Sequence, residues 1–233
     1  EFLKNEPEQP DVSNLLGMVY LCTNKFSIAQ QYFEFAVKGF PCAEYYQNLG
    51  IAYYKQNQYE QAMQFFEKAI QYEPQNVDFI RKFAKLAKDA KQIDYAINFY
   101  KKSLDIIAND PIGWNNIGLL YEQKHDYKSA KNAYVKSLKI KENYASLHNL
   151  GVLYRNERNF DESIKCLKDA LKLKPTSEKS LLAIGMTYLS KKDFKNGYKY
   201  YTTKKPEVQN LYKNHWDGSE HKDKTLLVYY DSG

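Results

Sequence analysis

An all-α repeat fold of stacked antiparallel helix pairs is the fold class this sequence predicts, on three observations. The same residue sizes recur at steps of 33, 34, 34, 33 and 34 residues, marked by Gly17, Gly50, Ala84, Gly118, Gly151 and Gly185. Between these marks, apolar residues recur at helical spacing in two stretches separated by a short polar turn, such as Lys55-Gln56-Asn57-Gln58. Ten glycines and seven prolines in 233 residues are few for an all-β chain.

With the marker residue placed in slot eight of a 34-residue unit, six units begin near residues 10, 43, 77, 111, 144 and 178 and run to about 205. The first unit sets the pattern: Gly17 in slot eight, Tyr20 in slot eleven, Ala29 in slot twenty, Phe33 in slot twenty-four and Pro41 in slot thirty-two. The small residues let two helices approach closely, and the large ones fill the space between a pair and its neighbour. The proline stops the second helix. The second unit repeats the pattern with Gly50, Tyr53, Ala62, Phe66 and Pro74. The third departs from it, with Ala84, Ala87, Ala96 and Tyr100, so looser packing is expected there. The fourth has Gly118, Tyr121, Ala130 and Tyr134, and predicts a largely buried Tyr121. The fifth has Gly151, Tyr154, Ser163, Leu167 and Pro175. The sixth has Gly185, Tyr188, Gly197 and Tyr201, and its second helix is expected to end irregularly before Pro206. Most of the 22 tyrosines thus have a packing role, their rings buried and their hydroxyls at the helix edge.

Both ends fall outside the repeat. Pro7 sits 34 residues before Pro41, so residues 1–9 read as the tail of a preceding unit. Residues 206–233 form a non-repeat tail, with a strand expected over Lys224–Tyr230 that either docks against the last helices or starts a second domain.

The repeated residues resemble the tetratricopeptide repeat family over roughly residues 10 to 205. The resemblance implies a right-handed superhelical solenoid in which the first helix of each unit lines a concave groove. Slots two, five, six, nine, twelve and thirteen would point inward, and the groove would bind an extended or helical segment of a protein partner. Slot five then presents Asn14, Gln47, Arg81, Asn115 and His148, and slot six presents Asn48, Lys82, Asn116 and Asn149. Amides offer a donor and an acceptor together, which suits the backbone of an extended peptide. At Asn48, Asn116 and Asn149 the pattern resembles the asparagine ladder of the O-linked N-acetylglucosamine transferase superhelix, interrupted at Leu15, Lys82 and Ala183. The same amides could instead bridge adjacent first helices. Arg81, Lys82, Lys85 and Lys88, with Arg155 further along, could receive acidic groups. Alternatively they form a solvated face neutralised by Asp78 and Asp89.

Residues 216–233 resemble the junction at which bacterial repeat proteins of this family lead into a glycosyltransferase-like Rossmann domain, through Trp216-Asp217-Gly218 and Lys224-Thr225-Leu226-Leu227-Val228. That resemblance implies an alternative role as the substrate-recognition arm of a glycosyltransferase, with catalysis located outside this chain. Self-association through exposed array ends is a further expectation.

Other functions find no residues to carry them. The net charge of +6 is modest and acids are interspersed, so no nucleic-acid stripe is expected. Cys22, Cys42 and Cys166 lack metal or disulfide spacing and read as reduced, partly buried thiols in a cytoplasmic protein. No apolar run is long enough to span a membrane, and no membrane partner is expected. No nucleophile motif or phosphate-binding loop occurs, so neither catalysis nor a cofactor is expected of this chain. His125 reads as a turn residue, and His215 and His221 lack regular ligand spacing.

Overall fold

The computed structural model describes residues 9–202, which form twelve α-helices and, among the described residues, no strand. They alternate between 13-residue first helices and 14-residue second helices, the last one shorter. In order they are α1 (Pro10–Cys22), α2 (Phe26–Gly39), α3 (Ala43–Lys55), α4 (Tyr59–Tyr72), α5 (Val77–Asp89) and α6 (Ile93–Ile106). There follow α7 (Pro111–Gln123), α8 (Tyr127–Ile140), α9 (Tyr144–Asn156), α10 (Phe160–Leu173), α11 (Glu178–Ser190) and α12 (Phe194–Thr202). Every first helix starts in slot one and every second helix in slot seventeen. The strand expected over Lys224–Tyr230, the preceding-unit tail over residues 1–8, and His215 and His221 lie outside the described residues.

The turn within each pair is built identically. Asn24, Asn57, Lys91, His125, Arg158 and Lys192, all in slot fifteen, take φ values between 58° and 64°. This left-handed residue lets the next amide reach back five residues, as in Gln92 N–H to Ala87 C=O (2.8 Å) and Asp126 N–H to Tyr121 C=O (2.9 Å). It is the Schellman closure, which satisfies carbonyls that a helix end leaves open. Side-chain caps start several helices: Asn76 accepts from Phe79 N–H, Asp126 from Ser129 N–H, and Asn143 from Ser146 N–H.

The chain divides into two compact units, one ending at Lys141 and the other beginning at Glu142. In the first, α1–α8, the core centres on the third helix pair. Phe66 stacks on Phe83 with ring centroids 4.3 Å apart, and Phe83 meets Phe99 edge-on at 6.4 Å. Ala84, Ala87 and all three rings are wholly buried, yet α5 approaches α4 less closely than α3 approaches α2 or α7 approaches α6, as the looser packing expected of this unit would have it. Phe83 and Phe99 supply the volume that a tyrosine in slot eleven supplies elsewhere. Tyr121, by contrast, is half-buried, its ring roofed by the Lys101 ammonium at 5.9 Å. Slot eleven is therefore the rim of the core, and its rings stack on slot twenty-three, as in Tyr53 on Phe65 (5.1 Å) and, in the second unit, Tyr188 on Tyr200 (5.8 Å). Slot eight is small because slot twenty-four lies directly on it. A methyl group added at Gly50 would sit 2.5 Å from Phe66 Cε1. The second unit, α9–α12, packs around Leu167, Ala183 and Ile184.

Candidate protein-interaction site

First helices touch one another through slot five. In the first unit, Asn48 Nδ2 donates to Asn14 Oδ1 at 2.9 Å, and Asn14 Nδ2 donates to Glu44 Oε1 at 3.2 Å, joining α1 to α3. The Tyr45 hydroxyl donates to Asp11 across the same seam. Arg81 on α5 donates to Asp110 Oδ2 at 2.8 Å, and Asp110 also caps α7 by accepting from Ile112 N–H at 3.0 Å. In the second unit, His148 on α9 bonds Ser180 Oγ of α11 at 2.9 Å and stacks on Tyr144, whose hydroxyl lies 2.5 Å from Ser177 Oγ. Arg155 points at Met186 Sδ, 3.7 Å away. Asn14, Arg81 and His148 therefore each bridge to the following first helix, the structural role that the sequence left open for the amides.

This geometry divides the residues singled out from the sequence. Asn14, Asn48 and Asn115 are buried, and the first two hold each other. Gln47 is half-buried, and its Oε1 is shielded from solvent without a hydrogen bond. Arg81, His148 and Arg155 are half-buried in the bridges described above. Asn149 is half-buried and already engaged within the protein. Lys82 and Lys85 are exposed. Asn116 is half-buried, and no hydrogen bond holds its side chain among the described residues. The neutralising partner of Arg81 is Asp110, which sequence spacing did not single out, rather than Asp78 or Asp89. Asp110 directly precedes Pro111, and an Asp-Pro pair before an apolar helix is a capping signal that would have found it.

Among the titratable groups on first helices that burial shifts are His148 and Glu122. His148 is lowered, first by loss of water and then by the charges of Lys179 and Arg155. The Glu122 carboxyl is raised by burial; it faces the wholly buried Tyr134 hydroxyl, but outside ordinary hydrogen-bond geometry. Glu122 was missed because a single carboxylate in slot twelve carries no spacing signal.

Exposed apolar side chains also occupy inner slots. Leu15 is 60% exposed and Ile112 70% exposed. Met18 and Leu182 are exposed as well. Among the described residues, no helix is long and apolar enough to cross a membrane, and no three His, Cys, Asp or Glu side chains are grouped to hold a metal ion. His125 is exposed in its turn beside the Tyr127 hydroxyl, and Cys22 is exposed rather than partly buried.

Models of the tetratricopeptide repeat match residues 43–76, 113–144 and 145–177, within one or two residues of three unit boundaries set by the helix starts. These segments are tetratricopeptide repeats. It is 24% identical over 195 residues to the BBSome complex member bbs-4 of Caenorhabditis elegans, covering 83% of this chain and 35% of that protein. The chain thus spans about a third of the length of that relative. Among solved structures, MamA superposes with a TM-score of 0.61 at 18% identity, over 80% of this chain and 98% of that one. YrrB, described as a TPR protein with an unusual peptide-binding site, superposes with a TM-score of 0.57 at 17% identity, over 77% of this chain and 93% of that one. These structures share the fold of helix pairs. The glycosyltransferase junction read at residues 216–233 lies outside the described residues, and none of these matches supports it.

Proposed function

We propose that this chain is a protein-interaction scaffold whose first helices hold an extended or helical segment of a partner protein. The observation that carries the proposal is the contrast between inner-slot side chains that bridge first helices and those that do not. Asn14, Arg81 and His148 in slot five and Asn48 in slot six are taken up in bridges between first helices, whereas Leu15, Lys82 and Asn116 in slot six, with Lys85 in slot nine, remain available. A surface that offers apolar, amide and cationic groups side by side suits a peptide, whose backbone and side chains present the same mixture. The likeness to YrrB, described by its peptide-binding site, and to a member of the BBSome complex agrees with this role.

The test is selection from an array of random peptides on the whole chain, followed by affinity measurements on variants. Asn116→Ala combined with Leu119→Ser on the inner side of α7 is expected to weaken the selected peptides at least tenfold. Lys128→Ala on α8 is expected to leave them unchanged. Equal affinity in both variants would place the binding surface away from the first helices.

A further inference from the structure

The helix α5 differs from every other first helix in its charge. It carries Arg81, Lys82, Lys85 and Lys88 against Asp78 and Asp89. Arg81 is neutralised by Asp110. Among the described residues, no carboxylate forms an ion pair with Lys82, Lys85 or Lys88. These three lysines recur every third residue, so they ascend about 9 Å of helix axis at 1.5 Å per residue. Lys82 and Lys85 are exposed, and Lys88 is half-buried.

The neighbouring helix supplies a different chemistry. Asp110 binds the Arg81 guanidinium with one carboxylate oxygen and the Ile112 amide with the other. That double contact fixes the start of α7 against α5, two residues before Ile112 in one chain segment and one residue before Lys82 in the other. Ile112 is 70% exposed, the most exposed large apolar side chain among the described residues. Further along α7, Asn116 has a free amide and Leu119 is half-buried. Exposed cations on α5, with an uncovered isoleucine on α7 and an amide there that no hydrogen bond holds among the described residues, are complementary to one kind of segment.

We propose that α5 and the first turns of α7 dock an acidic peptide segment that carries an apolar side chain. This rests on the scaffold reading above and names the chemistry of its partner. Glutamate or aspartate carboxylates meet Lys82 and Lys85, charge-assisted and steered from a distance. The apolar side chain covers Ile112 and Leu119, removing their surface from water. The Asn116 amide pairs with the segment's backbone. Arg81 takes no part in recognition; with Asp110 it holds the two helices in place. Because the lysines are at the surface, the attraction is screened by salt.

The experiment measures fluorescence anisotropy of labelled probes with the whole chain. The first probe is a peptide of six glutamates flanking one leucine. The others are its serine-for-leucine and lysine-for-glutamate counterparts and an oligouridylate of equal charge. The glutamate–leucine peptide is expected to bind, and to weaken more than tenfold between 50 and 300 mM salt. Lys82→Glu with Lys85→Glu should weaken it at least tenfold, and Ile112→Ser three- to tenfold, with helical circular dichroism unchanged in both. Lys128→Glu with Lys139→Glu, on exposed positions of α8, should change it less than twofold. Absence of binding, a change under twofold in the Lys82/Lys85 variant, or equal binding of the lysine probe would overturn the proposal. Tighter binding of the oligouridylate would also overturn it, assigning the lysines to nucleic acid. If array-selected peptides depend on Asn116 and Leu119 but are neither acidic nor sensitive to Lys82 and Lys85, the scaffold reading stands and this inference alone falls.

Discussion

Gly50 shows how closely one residue can be constrained by a ring in the next helix. A Cβ at this position would meet Phe66 Cε1 at 2.5 Å and the Ala62 carbonyl at 3.2 Å. Phe66 cannot retreat, because it is wholly buried and stacked on Phe83. Gly50→Ala is therefore expected to destabilise the protein by about 1–3 kcal/mol in urea denaturation, the usual range for overpacking. Phe66→Leu in the same chain should recover part of the loss, since the second unit pairs Gly151 with Leu167 in these slots. Phe83→Ala empties the centre of the same core and is expected to cost about 3–5 kcal/mol. Tyr121→Ala should lose clearly less, because its ring lies half in water beneath Lys101. The sequence predicted a largely buried Tyr121, and the structure corrects this to a half-buried ring on the rim. A ring on the rim and a ring in the core have the same periodicity, and only the neighbouring helix distinguishes them.

At the scale of the helices, the turns and the seams between first helices carry the predictions. Slot fifteen needs a left-handed backbone, which asparagine tolerates and lysine resists. Lys91→Gly should raise stability by up to about 1 kcal/mol, and Asn57→Gly should raise it less, as chemical denaturation will read. The seam between α9 and α11 depends on a neutral His148. Burial and the nearby cations lower its folded-state pKa below its unfolded value of about 6.5. The unfolded chain thus takes up the proton first as pH falls. The stabilisation is complete above about pH 6.5 and is lost as pH drops through the folded value. Hydrogen exchange in α9 and α11 should accelerate between pH 7 and 5, once corrected for intrinsic rates. His148→Gln, which can still bond Ser180, should remove that dependence. The slot-five bridges were legible only as alternatives, because an amide facing a peptide and an amide facing the next helix occupy the same slot.

At the scale of the molecule, each helix pair packs mainly on its neighbours, so damage should spread locally rather than globally. In the Phe83→Ala variant, amide exchange is expected to rise most in α4–α7. The amides of α10 and α11, in the second compact unit, should keep their protection. Uniform acceleration across all helices would show instead that the chain opens as one cooperative block.

The recurrence of small residues in slot eight and rings in slot twenty-four determined, without coordinates, that the chain folds into helix pairs and where each pair begins. A helix's boundaries follow from local turn chemistry, and a period of 34 repeats that chemistry six times. Tertiary structure alone decided which inner-slot side chains are free. Asn14 is held by Asn48, Arg81 by Asp110 and His148 by Ser180, whereas Lys82, Lys85 and Asn116 are not taken up in this way. Such bonds join residues about thirty positions apart, and their formation depends on how closely one first helix lies against the next.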